Sequence, residues 1–147
     1  MAALFERKAM RYLLVNDAAV SNIVGTRVIT SDSDEGVRLP YGILRGLGRS
    51  HIHHMGAASG VVQPRIQLDW YAITTAQLED LMDKARLALD GRVGDVEVDG
   101  STITFSSLHL KNEQTSSERG NDDSDRVIKR GIQEYDCTVF ETVPTFS

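Results

Sequence analysis

An alternating strand pattern that runs directly into a capped helix is the feature of this sequence that most constrains its fold. From Val61 to Ile73, apolar and polar residues alternate as they do in a strand with one buried side. The helical stretch TTAQLEDLMDKARLALDG follows without a linker. A strand and a helix in this arrangement must bury their apolar sides against each other, because neither can do so alone.

The two elements have matching apolar sides and defined ends. Thr74 and Gln77 have the spacing of a capping box, which predicts Thr74 as the N-cap, and Gly91 is a typical helix stop. The apolar side of the strand consists of Ile66, Leu68 and Trp70. The apolar stripe of the helix consists of Leu78, Leu81, Met82, Ala85 and Leu89. We expect the stripe to cover the strand.

Weaker patterns predict the remaining elements. Residues 3–15 have helical spacing, and a short second helix runs from an N-cap at Asp17 to a stop at Gly25. The predicted strands cover residues 27–30, 40–49 and 131–143, and Asp99-Gly100 marks the turn of a hairpin within residues 96–105. Glycines at 42, 46 and 48 suggest a bulge or a close backbone approach in the second of these strands.

These elements predict one α+β domain over residues 1–147, an antiparallel sheet with long hairpins and with helices packed on one face. The segment from residue 112 to residue 126 is polar and begins with NEQTSSERGNDDSD, which contains no apolar residue. We therefore predict a mobile loop over residues 112–126, because such a segment cannot bury enough apolar surface to become ordered.

Charge and cysteine content narrow the classes of protein. The net charge is −5, with 8 basic against 6 acidic residues in positions 1–75 and 8 against 15 in positions 76–147. Overall attraction to nucleic acid or to an anionic membrane is not expected. Charged residues near the N-terminus argue against a signal peptide, and no apolar run is long enough to span a bilayer. The single cysteine, Cys137, fits a reducing compartment and a small apolar role.

The stretch GLGRSHIHHMGAASG holds three of the four histidines, at His51, His53 and His54. Its glycines match only part of a dinucleotide loop, and a strand rather than a helix follows, which argues against a nucleotide site. On an extended segment, His51 and His53 would share one side and His54 would not. Two imidazoles fall short of the three or more ligands of a zinc site. We predict a polar loop, and a metal-dependent enzyme that uses these histidines is the alternative.

Other signs of catalysis are weak. SDSDEG brings its glycine one residue too early for a calcium loop, and Ser59 does not sit in a strand-turn-helix elbow. Asp122, Asp123 and Asp125 lie in the predicted mobile loop, whereas catalytic acids need a rigid setting. We expect no catalytic residue, cofactor or metal. Long hairpins with exposed strand edges favour a protein of assembly instead.

The order of segments resembles the tail completion, or tail terminator, family of long-tailed bacteriophages and prophages. The resemblance covers nearly the whole chain and rests on VSNIVGTRV, LPYGILRGLGRSHIHHMG, RIQLDWYAITTAQLEDLMDKARLALDG and the closing strand YDCTVFE. Its most specific part is the strand-to-helix unit from Arg65 to Gly91. The acidic segment before LPY and the long segment 112–126 depart from the family pattern.

The resemblance implies a structural protein without catalytic residues, located in the virion at the tail–neck junction and in the host cytoplasm during assembly. It implies a homo-oligomeric, hexameric ring that caps the tail tube, ends tail growth and joins the tail to the neck, or head–tail connector, proteins. DNA passes through its bore without specific binding, and no membrane is involved. Another component of the neck or head–tail connector is the alternative from the same particle.

Two groups of residues are candidate contact sites in such a ring. The hairpin tip would offer polar contacts to a neighbouring ring through Arg45, Arg49, His51, His53 and His54. The acidic half would line or rim the bore through Glu113, Glu118, Asp122, Asp123 and Asp125, because positive charge there would hold DNA phosphates. The alternative for the acidic group is an ordinary solvated surface segment.

Overall fold

The computed structural model describes residues 2–30, 38–54, 57–98, 100–119 and 127–140, with side chains at positions 6–30, 38–50, 61–98, 100, 102–117 and 128–140. The helices are α1 (Ala2–Val15), α2 (Ala18–Val24) and α3 (Thr75–Leu89). The strands are β1 (Val28–Ile29), β2 (Tyr41–His54), β3 (Ala57–Ala72), β4 (Gly94–Val98), β5 (Ser101–Arg119) and β6 (Val127–Phe140). No helix in these described ranges is both long enough and apolar enough to cross a membrane.

The helix ends lie where the sequence places them. The carboxylate of Asp17 accepts a hydrogen bond from the backbone N–H of Val20, and Gly25 ends α2 with a φ of 59°. The hydroxyl of Thr74 accepts from the N–H of Gln77 at 3.1 Å. In return, the side chain of Gln77 accepts from the N–H of Ile73, one residue before the N-cap. Thr74 is therefore confirmed as the N-cap of α3.

The six strands form one mixed sheet, curled into a half-barrel, in the order β1-β2-β3-β6-β5-β4. Four pairings are antiparallel, as the fold class predicted, but β1 and β2 run parallel. The prediction of a purely antiparallel sheet is thus wrong at this edge. A parallel pair needs a crossover rather than a tight turn, so no turn signal in the sequence marks it.

The helices pack on the predicted strand face. Ile66, Leu68 and Trp70 are buried, as is the whole stripe of α3. Behind that stripe, Gly131 of β6 leaves room for α3, because a Cβ at this position would collide with the sulfur of Met82. The main core also takes in Met10 and Leu14 of α1. The prediction that the stripe of α3 faces the core is confirmed.

The hairpin formed by β2 and β3 is more regular than the sequence suggests. The backbone of His51, His53 and His54 belongs to β2 and is paired with β3, so the prediction of a loop at these residues is wrong. Bulges interrupt the pairing between Gly46 and Gly48 and between His51 and His53. The predicted bulge near the glycines is confirmed. The second bulge interrupts the regular alternation on which the prediction that His51 and His53 share one side depended.

The prediction of a mobile loop that begins at residue 112 is also wrong for the part that the structure describes. β5 continues to Arg119 and pairs with β6 from Thr104 onward, as far as Arg119 opposite Val127. Backbone hydrogen bonds to β6 order this segment although the side chains at positions 111–117 are all exposed. Residues 120–126 lie outside the described residues.

Candidate functional site

A buried carboxylate lies on the sheet face that points away from the helices. Asp69 of β3 is fully buried, and its Oδ2 accepts hydrogen bonds from Arg45 Nε at 3.2 Å and from Arg130 Nη2 at 2.9 Å. Its Oδ1 accepts from the side chain of Gln67 at 2.7 Å. One carboxylate thus ties β2, β3 and β6 together across the sheet.

Two tyrosines extend this group, which we call the Asp69 cluster (Tyr41, Arg45, Gln67, Asp69, Tyr71 and Arg130). The rings of Tyr41 and Tyr71 stack with their centroids 4.9 Å apart, and the guanidinium of Arg130 lies 5.8 Å from the centroid of Tyr71. Burial opposes the charge of Arg45, but the hydrogen bond and charge of Asp69 outweigh it and raise the pKa of Arg45. Both carboxylate oxygens of Asp69 are therefore engaged in hydrogen bonds within the chain.

The two candidate arginines of the hairpin lie on opposite faces of the sheet. Positions 45 and 49 would share a side on a regular strand, but the bulge between Gly46 and Gly48 shifts the alternation. Arg45 joins the Asp69 cluster, while Arg49 Nη2 donates to the carboxylate of Glu6 on α1 at 2.6 Å. Both arginines hold intramolecular ion pairs, and their contact with a neighbouring ring stays a prediction.

The three hairpin histidines and most of the candidate acids are not positioned as side chains. The side chains of His51, His53 and His54 lie outside the described side chains, as does that of Glu118. Asp122, Asp123 and Asp125 lie outside the described residues. Glu113 is described on β5, where its carboxylate accepts a hydrogen bond from the side chain of Gln133 at 2.7 Å.

An acidic groove of about 340 Å³ runs between α3 and the outer edge of β5. Three of its side chains are carboxylates, those of Glu79, Asp83 and Glu113, against the single guanidinium of Arg86. Asp83 and Arg86 form an exposed ion pair at 2.7 Å. The full lining of this acidic groove is Glu79, Met82, Asp83, Arg86, Glu113, Gln114 and Thr115.

A basic groove of about 550 Å³ lies beside β2, where residues of α1, the bulged part of β2 and positions 64–66 of β3 line it. Four arginines and one carboxylate contribute to its wall, together with the bulged backbone at positions 46–48. Arg7 of α1 donates to the carbonyl oxygen of Thr30, and Arg65 is more than half exposed. The charged residues of this basic groove are Glu6, Arg7, Arg45, Arg49 and Arg65.

Nothing within the described part of the chain has the arrangement of a metal centre, and Cys137 lacks the setting of a reactive thiol. No three His, Cys, Asp or Glu side chains lie close enough together there to hold a metal ion. The thiol of Cys137 is buried and donates to the carbonyl oxygen of Pro64 at 3.5 Å. Burial raises the pKa of Cys137 to about 12, which disfavours the reactive thiolate.

Sequence reasoning missed three buried polar side chains among the described residues, those of Glu6, Asp69 and Gln133. Gln133 precedes Tyr135 and Cys137 in the alternating pattern of β6, so its inward position could have been found. Asp69 gave no comparable signal. It alternates with Leu68 and Trp70 as a solvent-facing residue would, and its burial comes from arginines that are distant in sequence.

Comparison with known proteins identifies the fold of the chain but does not assign the chain to a family. No protein-family model matches the chain, and no curated protein does so. Among solved structures, the chain is similar to one from the virion of a native gene transfer agent (GTA) particle. The two share 16% sequence identity with a TM-score of 0.66, and the match covers 90% of this chain and 92% of the other. The likeness establishes a common fold.

Proposed function

We propose that the chain is a structural protein of a phage-like virion that completes the tail. The observation that carries the proposal is the fold shared with a chain of the GTA virion, which spans nearly the full length of both chains. The sequence resemblance to tail completion proteins supports the same class independently. The proposed location is the tail–neck junction, reached from the host cytoplasm during assembly.

In this role, copies of the chain form a ring, six in number by the family resemblance, on the last layer of the tail tube. The ring ends tube growth and offers its other side to the neck or head–tail connector protein. The sheet supports such a role because its two longest outer strands, β2 and β5, extend well beyond the short strands that flank them. Strand edges of this kind are suited to contacts with other chains.

The proposal assigns no catalytic residue and no cofactor. The polar side chains in the described part of the chain form structural pairs, such as Arg49 with Glu6 and Asp69 with its two arginines. Such pairs fix the shape of a subunit, and a ring subunit needs a fixed shape more than a reactive group.

For the bore, we propose that Glu113, Glu118, Asp122, Asp123 and Asp125 lie near the ring axis, where negative charge keeps DNA from binding as it passes. Glu113 supports this only in that its side chain is exposed on β5. The test is the distance of these carboxylates from the axis in a reconstruction of the ring. Carboxylates on the outer wall and arginines in the channel would contradict the assignment.

For the hairpin, we propose that Arg45, Arg49 and the three histidines contact a neighbouring ring. Replacement of His51, His53 and His54 by Ala should weaken particle assembly and leave the metal content of the purified protein unchanged. A stoichiometric, tightly held zinc ion that disappears in the triple variant would instead favour the metal-dependent alternative.

The decisive experiment deletes the gene from the phage or prophage that encodes it and images the particles. Loss of a tail terminator should give tails of irregular, excessive length that fail to join heads, and the wild-type gene supplied in trans should restore them. Tails of normal length with unattached heads would favour the alternative, another neck or connector component. Normal, infectious particles without the protein would contradict both.

A further inference from the structure

The sheet has two long strand edges without a partner strand among the described residues. β1 pairs with β2 only at Gly42 and Ile43, and β4 pairs with β5 only as far as Phe105. Beyond these points, β2 continues to His54 and β5 to Arg119. Natural sheets usually shorten, cover or pair such edges, because rows of open backbone groups bind other strands.

The turn after α3 covers only the first part of the β5 edge. The N–H of Gly91 donates to the carbonyl oxygen of Leu108 at 2.7 Å, and the N–H of Leu110 donates to the carboxylate of Asp90 at 2.9 Å. No comparable bond reaches the outer edge of the segment Asn112–Arg119 from the described residues. This segment is about 26 Å long at the usual rise per residue, enough for a full strand pairing.

The two open edges carry opposite charge. The acidic groove borders β5, and its lining has three carboxylates against one guanidinium. The basic groove borders β2, and its lining has four guanidiniums against one carboxylate, with Arg45 and Arg65 also paired with the carboxylates of Asp69 and Asp136 outside it. The edges also lie at opposite sides of the sheet, because β3 and β6 separate β2 from β5. Each edge is therefore attracted to the opposite edge of another copy and not to the same edge. Such a contact between two different surfaces is a head-to-tail contact.

Strand direction fits the same arrangement. From β2 through β3 and β6 to β5, every pairing is antiparallel, so the direction alternates at each step. A second copy in the same orientation would present its β2 antiparallel to the β5 of the first. The contact would therefore continue the existing sheet with the more stable type of pairing.

From these features we infer that the β5 edge at Asn112–Arg119 pairs with the β2 edge of a second copy of this chain, beyond Ile43. Each copy thus uses its β5 edge to bind the β2 edge of the next copy. Repetition of this contact closes a ring or extends a filament. The inference rests on the proposed function in that a ring needs such a contact. It adds to that function the two strand edges that form the contact between neighbouring subunits.

The backbone geometry identifies residues at which the contact can be blocked without breaking the subunit. Leu108 and Leu110 direct their backbone groups outward and their side chains towards the helices. In an L-residue strand these two directions are linked, and the bulge between Leu110 and Asn112 shifts the alternation by one residue. After the bulge, Glu113 faces the buried Gln133, so Thr115, two residues further on, shares that side and also directs its N–H outward.

On β2, the backbone N–H of Gly42 donates to the carbonyl oxygen of Arg27 and therefore points outward. Gly46 lies four residues further along the same regular stretch of strand, so its N–H points to the same side.

The test uses proline at each of these positions, because proline removes the outward N–H and is tolerated on edge strands. Thr115→Pro blocks the β5 edge and Gly46→Pro blocks the β2 edge. Thr115→Ala and Gly46→Ala are the matched controls that keep the N–H, and a Cβ at Gly46 has open space, with its nearest neighbour 3.9 Å away. Analytical ultracentrifugation measures the mass, and circular dichroism with a cooperative melt checks that each variant is folded.

The wild type and both alanine controls should form species larger than the 16.2 kDa protomer, and each proline variant alone should be monomeric. A mixture of the two proline variants retains one usable edge of each kind, so it should form a dimer and nothing larger. A monomeric wild type at its highest soluble concentration, a proline variant that associates like the wild type, or a mixture that stays monomeric would each overturn the inference.

A measurement on the wild type covers the case in which a proline variant does not fold. Hydrogen exchange at the amides of Thr115 and Gly46 should slow at least tenfold between a dilute, dissociated sample and a concentrated one. Equal rates in the two samples would overturn the inference. These outcomes are separate from the deletion phenotype: the edges can pair in a protein that has no role in tails, and a tail terminator can assemble through other surfaces.

Discussion

The indole nitrogen of Trp70 donates a hydrogen bond to the side-chain oxygen of Gln133 at 3.0 Å, and both side chains are buried. The amide nitrogen of Gln133 donates in turn to the carbonyl oxygen of Met82 at 2.9 Å and to the carboxylate of Glu113 at 2.7 Å. One side chain on β6 thus joins β3, α3 and β5. It satisfies polar groups on both sides of the strand on which it lies.

Replacement of Gln133 by Leu should lower the free energy of unfolding by about 1–3 kcal/mol, because it leaves the indole N–H of Trp70 buried without an acceptor. Urea denaturation monitored by tryptophan fluorescence gives the value. Gln63→Leu is the control, since Gln63 is exposed on β3 and should change stability by less than about 0.5 kcal/mol. Equal effects of the two substitutions would show that the hydrogen bonds of Gln133 contribute nothing.

The buried stripe of α3 gives a second prediction. Leu81 is fully buried and Leu87, on the same helix, is 66% exposed. Leu81→Ala should lower the free energy of unfolding by about 2–5 kcal/mol through lost burial and a residual cavity. Leu87→Ala should have a small effect, because alanine is at least as good a helix former and little apolar surface is lost. The measurement is again chemical denaturation, and a change within error for Leu81→Ala would contradict the packing.

Two glycines on β2 should respond in opposite ways to alanine. A Cβ on Gly42 would collide with the six-membered ring of Trp70, whereas a Cβ on Gly46 meets no atom closer than 3.9 Å. Gly42→Ala should therefore destabilise the fold by about 1–3 kcal/mol. Gly46→Ala should be neutral or slightly stabilising, because it reduces the freedom of the unfolded chain. The measurement is the melting temperature of each variant, which should fall for Gly42→Ala and stay the same or rise slightly for Gly46→Ala.

Local signals in the sequence predicted much of the helical layer and its contact with the sheet. The N-caps at Asp17 and Thr74 and the stripe of α3 are where capping chemistry and helical spacing place them. These features depend on residues that are close together in the chain, so they can be predicted from the sequence alone. The alternation of β3 likewise identified the buried side of that strand.

The missed features depend on partners distant in sequence. Nothing within Asn112–Arg119 shows that β6 lies beside it, because backbone pairing leaves no pattern in polar side chains. The burial of Asp69 likewise depends on Arg45 and Arg130, which are brought to it from other strands. The sequence predicted exposed strand edges in general, but which edges are open depends on the strand order and on the short lengths of β1 and β4, which no local pattern shows.

The Asp69 cluster gives a fourth prediction, Asp69→Asn. Removal of the charge leaves the guanidiniums of Arg45 and Arg130 without their shared carboxylate in a half-buried setting, so the free energy of unfolding should fall by about 3–5 kcal/mol. Asp136→Asn is the control, because Asp136 pairs with Arg65 at an exposed site, where an ion pair contributes about 0–1 kcal/mol. A loss no larger than that of the control would show that the cluster does not stabilise the sheet.

The last prediction concerns alkaline pH and the thiol of Cys137. Burial raises its pKa from the ordinary value of 9.0 to about 12, so the folded protein holds this proton more tightly than the unfolded chain does. The resulting stabilisation is complete below pH 9.0 and is lost progressively as the pH rises towards 12. By pH 10 the loss should be about 1.4 kcal/mol. Unfolding free energies at pH 7 and pH 10 should therefore differ more for the wild type than for Cys137→Ala, which lacks the group.

The same burial protects the thiol from alkylation. At pH 9 iodoacetamide should modify Cys137 far more slowly in the folded protein than in urea, where the thiol has its ordinary pKa and full access to solvent. Rapid alkylation of the folded protein, together with an unchanged pH dependence in Cys137→Ala, would show that the thiol is exposed to solvent and that its pKa is not raised.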